Sequence, residues 1–558
     1  MKRNHRMDYK RIAGKREMND VEERYVIGID YGTQSARAAV VRISDGTLAG
    51  AQSCPYPHGV LTETLPDGTP LESQCALAVA EDYLEVLEST VQGAIRAAGV
   101  APDAVVGMCV DATSCTLVPT DRHFQPLSLN PAYKNRPHAY IKLWKHHAAQ
   151  PQADRANAVA REMNMPFLDC CGDELSCEWT IPKLLEIREK DPEIYGQMAF
   201  AFDLCDFLTL RLTHRLTRGI GSASFKSNWV AGVGYPSEEY LERLGKGFGG
   251  EYARLMAGEI IRPGQRAGSL CPEMAAKLGL PAGIAVAGGI LDGHTSLPTS
   301  GLCQAGDVSL VIGTSNVSAI LTDHPVRVPA GSAFAMDGFV PGLYAIDTGQ
   351  SCTGDMLGWY VKHMLPAEVA QAAEAKGISN FDLLNERAEV SQPWQCGLTV
   401  LDWWNGNRNV LCNLNLRGAI QGLTLGTRPE DIYTAMVQGI ACGTRKILET
   451  CMDNGVEIKN IVACGGIPQK NPFLMRQYAN LLNRPLRVAC ANEGPAMGAA
   501  IFAACAAGAY ATFADAVAHM QVKTFLEYRP QPERHDAYEG IYRRFCRYYE
   551  ALGRSDTF

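Results

Sequence analysis

Tyr25-Val26-Ile27-Gly28-Ile29-Asp30-Tyr31-Gly32-Thr33-Gln34-Ser35 is a short apolar run that breaks into a polar, glycine-containing turn, and a second apolar run, Ala36 to Val41, follows it. The pattern predicts strand, turn, strand. It returns at Val308 to Ile312, Gly313-Thr314-Ser315-Asn316 and Val317 to Leu321, with Gly32 and Gly313 standing 281 positions apart in 558 residues. Two equivalent hairpins half a chain apart predict a duplicated α/β core.

Alternating signals extend outward from the hairpins. Ala104 to Val110 reads as a strand running into Asp111-Ala112-Thr113-Ser114-Cys115, and Ile284 to Ala287 as a strand running into Gly288-Gly289-Ile290-Leu291-Asp292-Gly293-His294. Pro429 to Asp453 carries apolar residues at helical spacing, opened by a capping pattern at Thr427 to Glu430. A strand at Ile458 to Ala463, a turn at Gly465-Gly466, a helix from about Pro472 to Leu482, a strand at Leu486 to Ala489 and a small-residue helix from Gly494 to Gly508 complete the alternation. Mixed sheets flanked by helices follow from it.

Length suits two large domains at roughly 150 residues per domain as a soft prior. We place a disordered extension at 1–24, domains at 25–298 and 299–545, and a tail at 546–558. Basic residues number 52 against 60 acidic, a net charge of −8, which gives no electrostatic footprint for nucleic acid or an anionic membrane. Ionisable residues interrupt every hydrophobic stretch, so no membrane span is expected. Nineteen cysteines without a CxxC pair spell out no disulfide framework and no zinc ribbon, which predicts a cytoplasmic protein with reduced thiols.

No Gly-x-x-x-x-Gly-Lys-Ser/Thr occurs, which removes the P-loop enzymes. Gly245, Gly247 and Gly250 satisfy Gly-x-Gly-x-x-Gly, but Tyr240 to Leu244 ahead of them reads as a helix end where a dinucleotide site needs a strand. A flexible loop is expected there. The two hairpin turns are better phosphate devices, because a glycine turn flanked by hydroxyls can aim successive N–H groups at phosphate oxygens. Asp30 offers a hard oxygen suited to Mg²⁺.

Asp30-Tyr31-Gly32-Thr33, Gly313-Thr314-Ser315 and Ala463-Cys464-Gly465-Gly466 resemble, in order and spacing, the two phosphate loops and the adenosine loop of the actin, Hsp70 and sugar kinase superfamily. Gly288 to His294 is similar to the catalytic-aspartate segment of the FGGY carbohydrate kinases. The strings Lys142-Leu143-Trp144-Lys145-His146-His147-Ala148-Ala149, Asp402 to Arg408 and Gly465 to Pro472 resemble the branch of that family that phosphorylates L-ribulose in L-arabinose catabolism. The resemblance covers about residues 25 to 545. It implies two ribonuclease H-like, actin-like ATPase domains around a cleft, with ATP as co-substrate, Mg²⁺, a ketopentose acceptor and a homodimer.

The resemblance also implies roles. Asp292 becomes the general base; with an ordinary carboxylate pKa it is ionised but a weak base. Asp30 holds Mg²⁺; Gly32, Thr33 and Gln34 face the phosphates from one side and Gly313, Thr314 and Ser315 from the other. Gly465, Gly466 and Asn471 belong to the adenosine site, with Gly349 and Gln350 on the facing loop. Ser114, Lys226 and Asp347 fall at sugar-contacting positions, and Asp347 stands where the family more often has Glu. Lys142 and Lys145 are assigned a solvated or hinge-packing role, and Trp403-Trp404 reads as buried aromatics at a seam. Alternatives are a kinase of D-ribulose, D-xylulose or ribitol, and, from another class, a silent sugar sensor or an Hsp70-like binding protein.

Overall fold

In the computed structural model, which describes residues 23–327 and 332–554, the first hairpin consists of strands Tyr25–Tyr31 and Ser35–Arg42, paired antiparallel with Tyr31 opposite Ala36. Strand Tyr25–Tyr31 is buried along its whole length because both its faces are covered. Ile27 and Ile29 pack with Leu87 and Val91 of helix Ala80–Ala98, while Val26 lies in a separate cluster with Ile501 and Phe502. The expected disordered extension falls almost wholly on residues 1–22, outside the described residues.

The hairpin seeds a 7-stranded sheet whose order is Arg266–Ser269, Ala285–Ala287, Val105–Ala112, Tyr25–Tyr31, Ser35–Arg42, Leu48–Pro55, with Ile290–Leu291 added beside Val105–Ala112. A second 7-stranded sheet runs Ala333–Met336, Tyr344–Gln350, Asn316–Thr322, Asp307–Ile312, Asn460–Cys464, Leu486–Ala489, Phe525–Tyr528. From Leu48–Pro55 in one sheet and from Tyr344–Gln350 in the other, successive pairings are antiparallel, antiparallel, parallel, parallel, antiparallel. The core is duplicated: two actin-like lobes, each a mixed sheet flanked by helices.

Helix Gly494–Ala506 joins them. Its residues are small, so it fits between the lobes in one cluster with Val26 and Cys109 of the first sheet and Val462 and Ala489 of the second. A Cβ on Gly28 would stand 1.7 Å from the Ala496 carbonyl oxygen, so only glycine lets this strand and this helix approach so closely. Between the strands of the first sheet the chain adds a 4-stranded sheet of Leu77–Ala78, Ile141–Lys142, Leu117–Thr120 and Phe200–Asp203, with its own core around Phe167, Leu184, Tyr240 and Tyr252.

Three local expectations change. Helix Pro429–Asp453 is capped one residue late: the Arg428 amide donates to Asp431 Oδ2 at 3.0 Å, while the Thr427 hydroxyl accepts from the Thr424 amide instead. Helix His535–Gly553 runs through most of the expected tail, because Ile541, Tyr542, Phe545 and Tyr549 repeat at helical spacing against the second core. The glycines at 245, 247 and 250 form a tight joint, not a flexible loop: Gly245 ends helix Glu238–Leu244, Gly247 at φ 81° begins helix Phe248–Leu255, and Gly250 lies inside it. Among the described residues no helix is long and apolar enough to cross a membrane.

Candidate active site

The two hairpin tips have carbonyls turned inward and amides left over. At the first, the Gly32 carbonyl accepts from Tyr56 Oη at 3.0 Å, the Gln34 carbonyl from the Tyr56 amide at 3.1 Å, and Thr33 Oγ1 from Trp144 Nε1 at 3.1 Å. At the second, the Thr314 carbonyl accepts from the Thr353 amide at 2.8 Å, and the Gly313 carbonyl accepts from the Gly354 amide at 3.0 Å and from Thr353 Oγ1 at 2.9 Å. The amides of Thr33, Gln34, Thr314 and Ser315 donate to nothing among the described residues. Unpaired amides around a glycine turn are donors held ready for an anion.

Behind the first tip stand carboxylates. Asp30, 3% exposed, is 3.3 Å from Arg37 Nη1, and burial pushes its carboxyl up. Its neighbour in register is Asp111, fully buried, whose carboxyl meets the Asp30 carboxyl and no other side chain's N–H or O–H among the described residues. Burial, and then the charges of Asp30 and Asp292, push Asp111 well above the carboxylate range. Sequence reasoning passed over Asp111, since an acid at a strand end looks like the start of a turn.

Asp292 follows Ile290–Leu291, which aligns with Asp111-Ala112, and its Oδ1 accepts from the Gly293 amide at 2.7 Å. Although partly open to the cleft, it is enclosed deeply enough that burial first, then the Asp30 charge, push its carboxyl up to about 7. This corrects the expectation of a weak base: near pH 7 the group has proton affinity matched to its medium. Lys226, at the end of helix Ile220–Ser227, crosses from the first lobe to Asp347 on strand Tyr344–Gln350, Nζ to Oδ2 3.2 Å, and His294 Nε2 stands 3.8 Å from the same oxygen. Burial alone raises Asp347, but Lys226 and then His294 outweigh it and hold the carboxyl well below its usual range. Despite its short side chain, Asp347 therefore reaches Lys226 directly. Ser114 lies half-buried beyond Asp111 on the same strand exit.

Other expected site residues are consumed by the fold. Gln350 Nε2 donates to Asp402 Oδ2 at 2.6 Å and to the Ile440 carbonyl at 2.9 Å, while its Oε1 accepts from Thr444 Oγ1 and Asn316 Nδ2. Asn471 caps helix Pro472–Leu482 through the Leu474 amide and donates to Tyr433 Oη. The Gln350 amide is thus fully engaged within the protein, whereas Asn471 keeps a second Nδ2–H beyond these bonds. Gly349 is a close-packing residue, since a Cβ there would stand 2.0 Å from the Asn316 carbonyl oxygen. Gly466, by contrast, opens on empty space, with Gly465 at φ 103° turning the chain toward it.

Lys142 is not solvated. It is buried 3.2 Å from Glu186 Oε2, which also takes His146 Nε2 at 2.8 Å, while Lys183 Nζ donates to the carbonyls of Leu143 and Cys115. This knot fixes the segment that presents Trp144 to Thr33. Trp403 is buried against Tyr549 with ring centroids 5.2 Å apart, and Trp404 packs edge-on to Trp359, so both serve the second core.

Two lobes of one topology, each ending a hairpin in amides that donate to nothing among the described residues, form a fold with two places suited to an anion. The model of the FGGY family of carbohydrate kinases, N-terminal domain, matches residues 25–297, and that of its C-terminal domain matches 308–507. The chain belongs to this family, and it is a carbohydrate kinase. It is 39% identical to a ribulokinase of Geobacillus thermodenitrificans over 540 residues, 96% of each chain, and 38% identical to a ribulokinase of Mycolicibacterium smegmatis over 96% of this chain and 95% of the other. Among solved structures it resembles a xylulose kinase from Rhodospirillum rubrum, with TM-score 0.78 and 22% identity over 95% of this chain and 99% of that one. It also resembles a gluconate kinase from Lactobacillus acidophilus, with TM-score 0.80 and 17% identity over 96% and 99%.

The family implies ATP as co-substrate. Asp30 and Asp111, two buried carboxyls in contact, are a donor set that would fit a hard cation taking one or two carboxylates and keeping water.

Proposed function

We propose that the chain phosphorylates ribulose with Mg-ATP, converting L-ribulose to L-ribulose 5-phosphate, the step that serves L-arabinose catabolism. The observation that carries the reading is Asp292, which lies within electrostatic reach of Asp30 and of the Lys226–Asp347 pair and whose carboxyl burial pushes up to about 7. Similarity to curated ribulokinases over nearly the whole chain supports the choice of sugar.

In this reading Ser114, Lys226 and Asp347 hold the sugar hydroxyls, each buried hydroxyl needing a partner to avoid a penalty of about 1–3 kcal/mol. Asp292 orients the acceptor hydroxyl and receives its proton as the new O–P bond forms and the bond from the γ-phosphorus to the bridging oxygen breaks, releasing ADP. The amides of Thr33 and Gln34 from one lobe, and of Thr314 and Ser315 from the other, bind phosphate oxygens. Gly465 and Gly466 give the adenosine its approach. Asp30 would hold Mg²⁺, which when bound neutralises charge on the β and γ oxygens. Closing two half-sites excludes water, which competes with sugar for the phosphoryl group.

A coupled ADP-release assay across L-ribulose, D-ribulose, D-xylulose, ribitol and glycerol tests it. The highest kcat/KM is expected on L-ribulose. A preference for another pentose or pentitol would replace the sugar and keep the chemistry, and no stimulation by any of the five would sink the reading.

A further inference from the structure

We infer that Asp111 is a second carboxylate of the cation site, so that the cation accompanying the nucleotide is held, directly or through its water, from two adjacent strands. The inference rests on the reading above for the nucleotide and goes beyond it in the residue.

Asp30 and Asp111 are register partners on parallel strands, which sends both side chains to one face. Asp111 is 0% exposed, and its carboxyl meets the Asp30 carboxyl and no amine, amide or hydroxyl donor among the described residues, so in the absence of a cation a proton must stand between the two acids. Two carboxyls so enclosed are costly to ionise together, and both become anions in native structures where a cation completes them. The neighbouring polar groups are engaged elsewhere. Arg37 reaches Asp30 and Glu493, Lys226 reaches Asp347, Thr113 Oγ1 pairs with Thr116 Oγ1, and Cys109 Sγ faces the Gly288 carbonyl. The fold itself does not require acids here. In the second lobe the equivalent register pair is Val311 and Cys464, both uncharged.

The rival account is that Asp111 stays protonated and serves as a packing partner of Asp30. Asn reproduces the protonated acid in shape, so Asp111→Asn separates the two. The measurement is Mn²⁺ affinity in the presence of ADP, read by electron paramagnetic resonance of free Mn²⁺, together with the melting temperature with and without Mn²⁺ and ADP. Asp111→Asn is expected to fold, to melt no lower than the parent without metal, to weaken Mn²⁺ binding roughly 10- to 100-fold, and to lose most of the melting-temperature rise that metal gives. Affinity for ADP without metal should be unchanged. Asp111→Asn binding Mn²⁺ within about twofold of the parent overturns the inference. If Asp30→Asn loses the metal in that case, the proposed function stands without Asp111. A parent protein that binds no Mn²⁺ with ADP overturns both.

Discussion

The two hairpins are built on one topology and differ in what stands behind and beside the turn. Behind the first lie Asp30 and, in register, Asp111; behind the second lie Val311 and Cys464. The first tip spans four residues between the paired Tyr31 and Ala36, the second three between Ile312 and Asn316. Side chains of Tyr56 and Trp144 brace the first, whereas amides at the start of helix Gly354–His363 brace the second. Free amides are thus a property the duplicated fold confers on both lobes, and negative charge is an addition to one. A clamp with a single charged jaw can bind a polyanion only when a cation comes with it, which accounts for a protein of net charge −8 handling phosphate.

That asymmetry can be broken by experiment. Asp292→Asn should lower kcat by about 10²- to 10⁴-fold with ADP affinity retained, since it removes only the proton acceptor; near-normal turnover would refute the mechanism. Lys142→Met, which takes from Glu186 its buried lysine and leaves it His146 and Lys190, should cost up to about 3–5 kcal/mol in denaturant unfolding, the range for breaking a buried pair. Next, Asp30→Asn should weaken Mn²⁺ binding with ADP while Val311→Ala should leave it untouched and cost about 1 kcal/mol of stability. Equal metal loss in both would mean that the lobes share the charge role. Trp144→Phe, which frees the Thr33 hydroxyl, should raise the KM for ATP by the several-fold expected of one hydrogen bond worth about 0.5–1.5 kcal/mol.

The last prediction concerns pH. The Asp292 carboxyl sits near 7 in the folded chain and near 3.8 in the unfolded one, so the folded protein binds the extra proton. Its stabilising contribution is full below about pH 3.8 and disappears as pH rises to about 7. The metal-free protein should therefore lose stability on that side through this group, and Asp292→Asn should flatten the slope. Turnover runs the opposite way, falling as Asp292 gains its proton; an acid limb confined to the ordinary carboxylate range would show that the bound substrates restore Asp292 to its usual value.

Much of this was legible before any coordinates. Strand Leu486–Ala489 and helix Pro472–Leu482 follow their apolar periodicity to the residue, and both hairpins announce themselves. Asp30, Lys226 and Asp347 all lie within electrostatic reach of Asp292, although they are scattered over more than 300 residues of sequence. What the sequence does not show is the use of groups whose neighbours lie far away in the chain. Gln350 has the chemistry of a ligand contact, yet its amide is engaged by Asp402, Thr444 and Asn316, and Asn471 gives part of its amide to Tyr433. Asp111 and Trp144 acquire their partners through sheet register and through a loop crossing more than a hundred residues, and neither has a local signal.

Helix Gly494–Ala506 closes the first sheet from the far end of the chain. A chain emerging from the ribosome completes the strands of that sheet by Leu291 but must wait roughly 200 residues, on the order of 10 to 40 s of synthesis, for the helix that covers Gly28 and Val26. Until then a bare apolar strip is on view. Cutting the gene between the lobes should give an N-terminal piece that aggregates alone and is rescued when the C-terminal piece is made beside it.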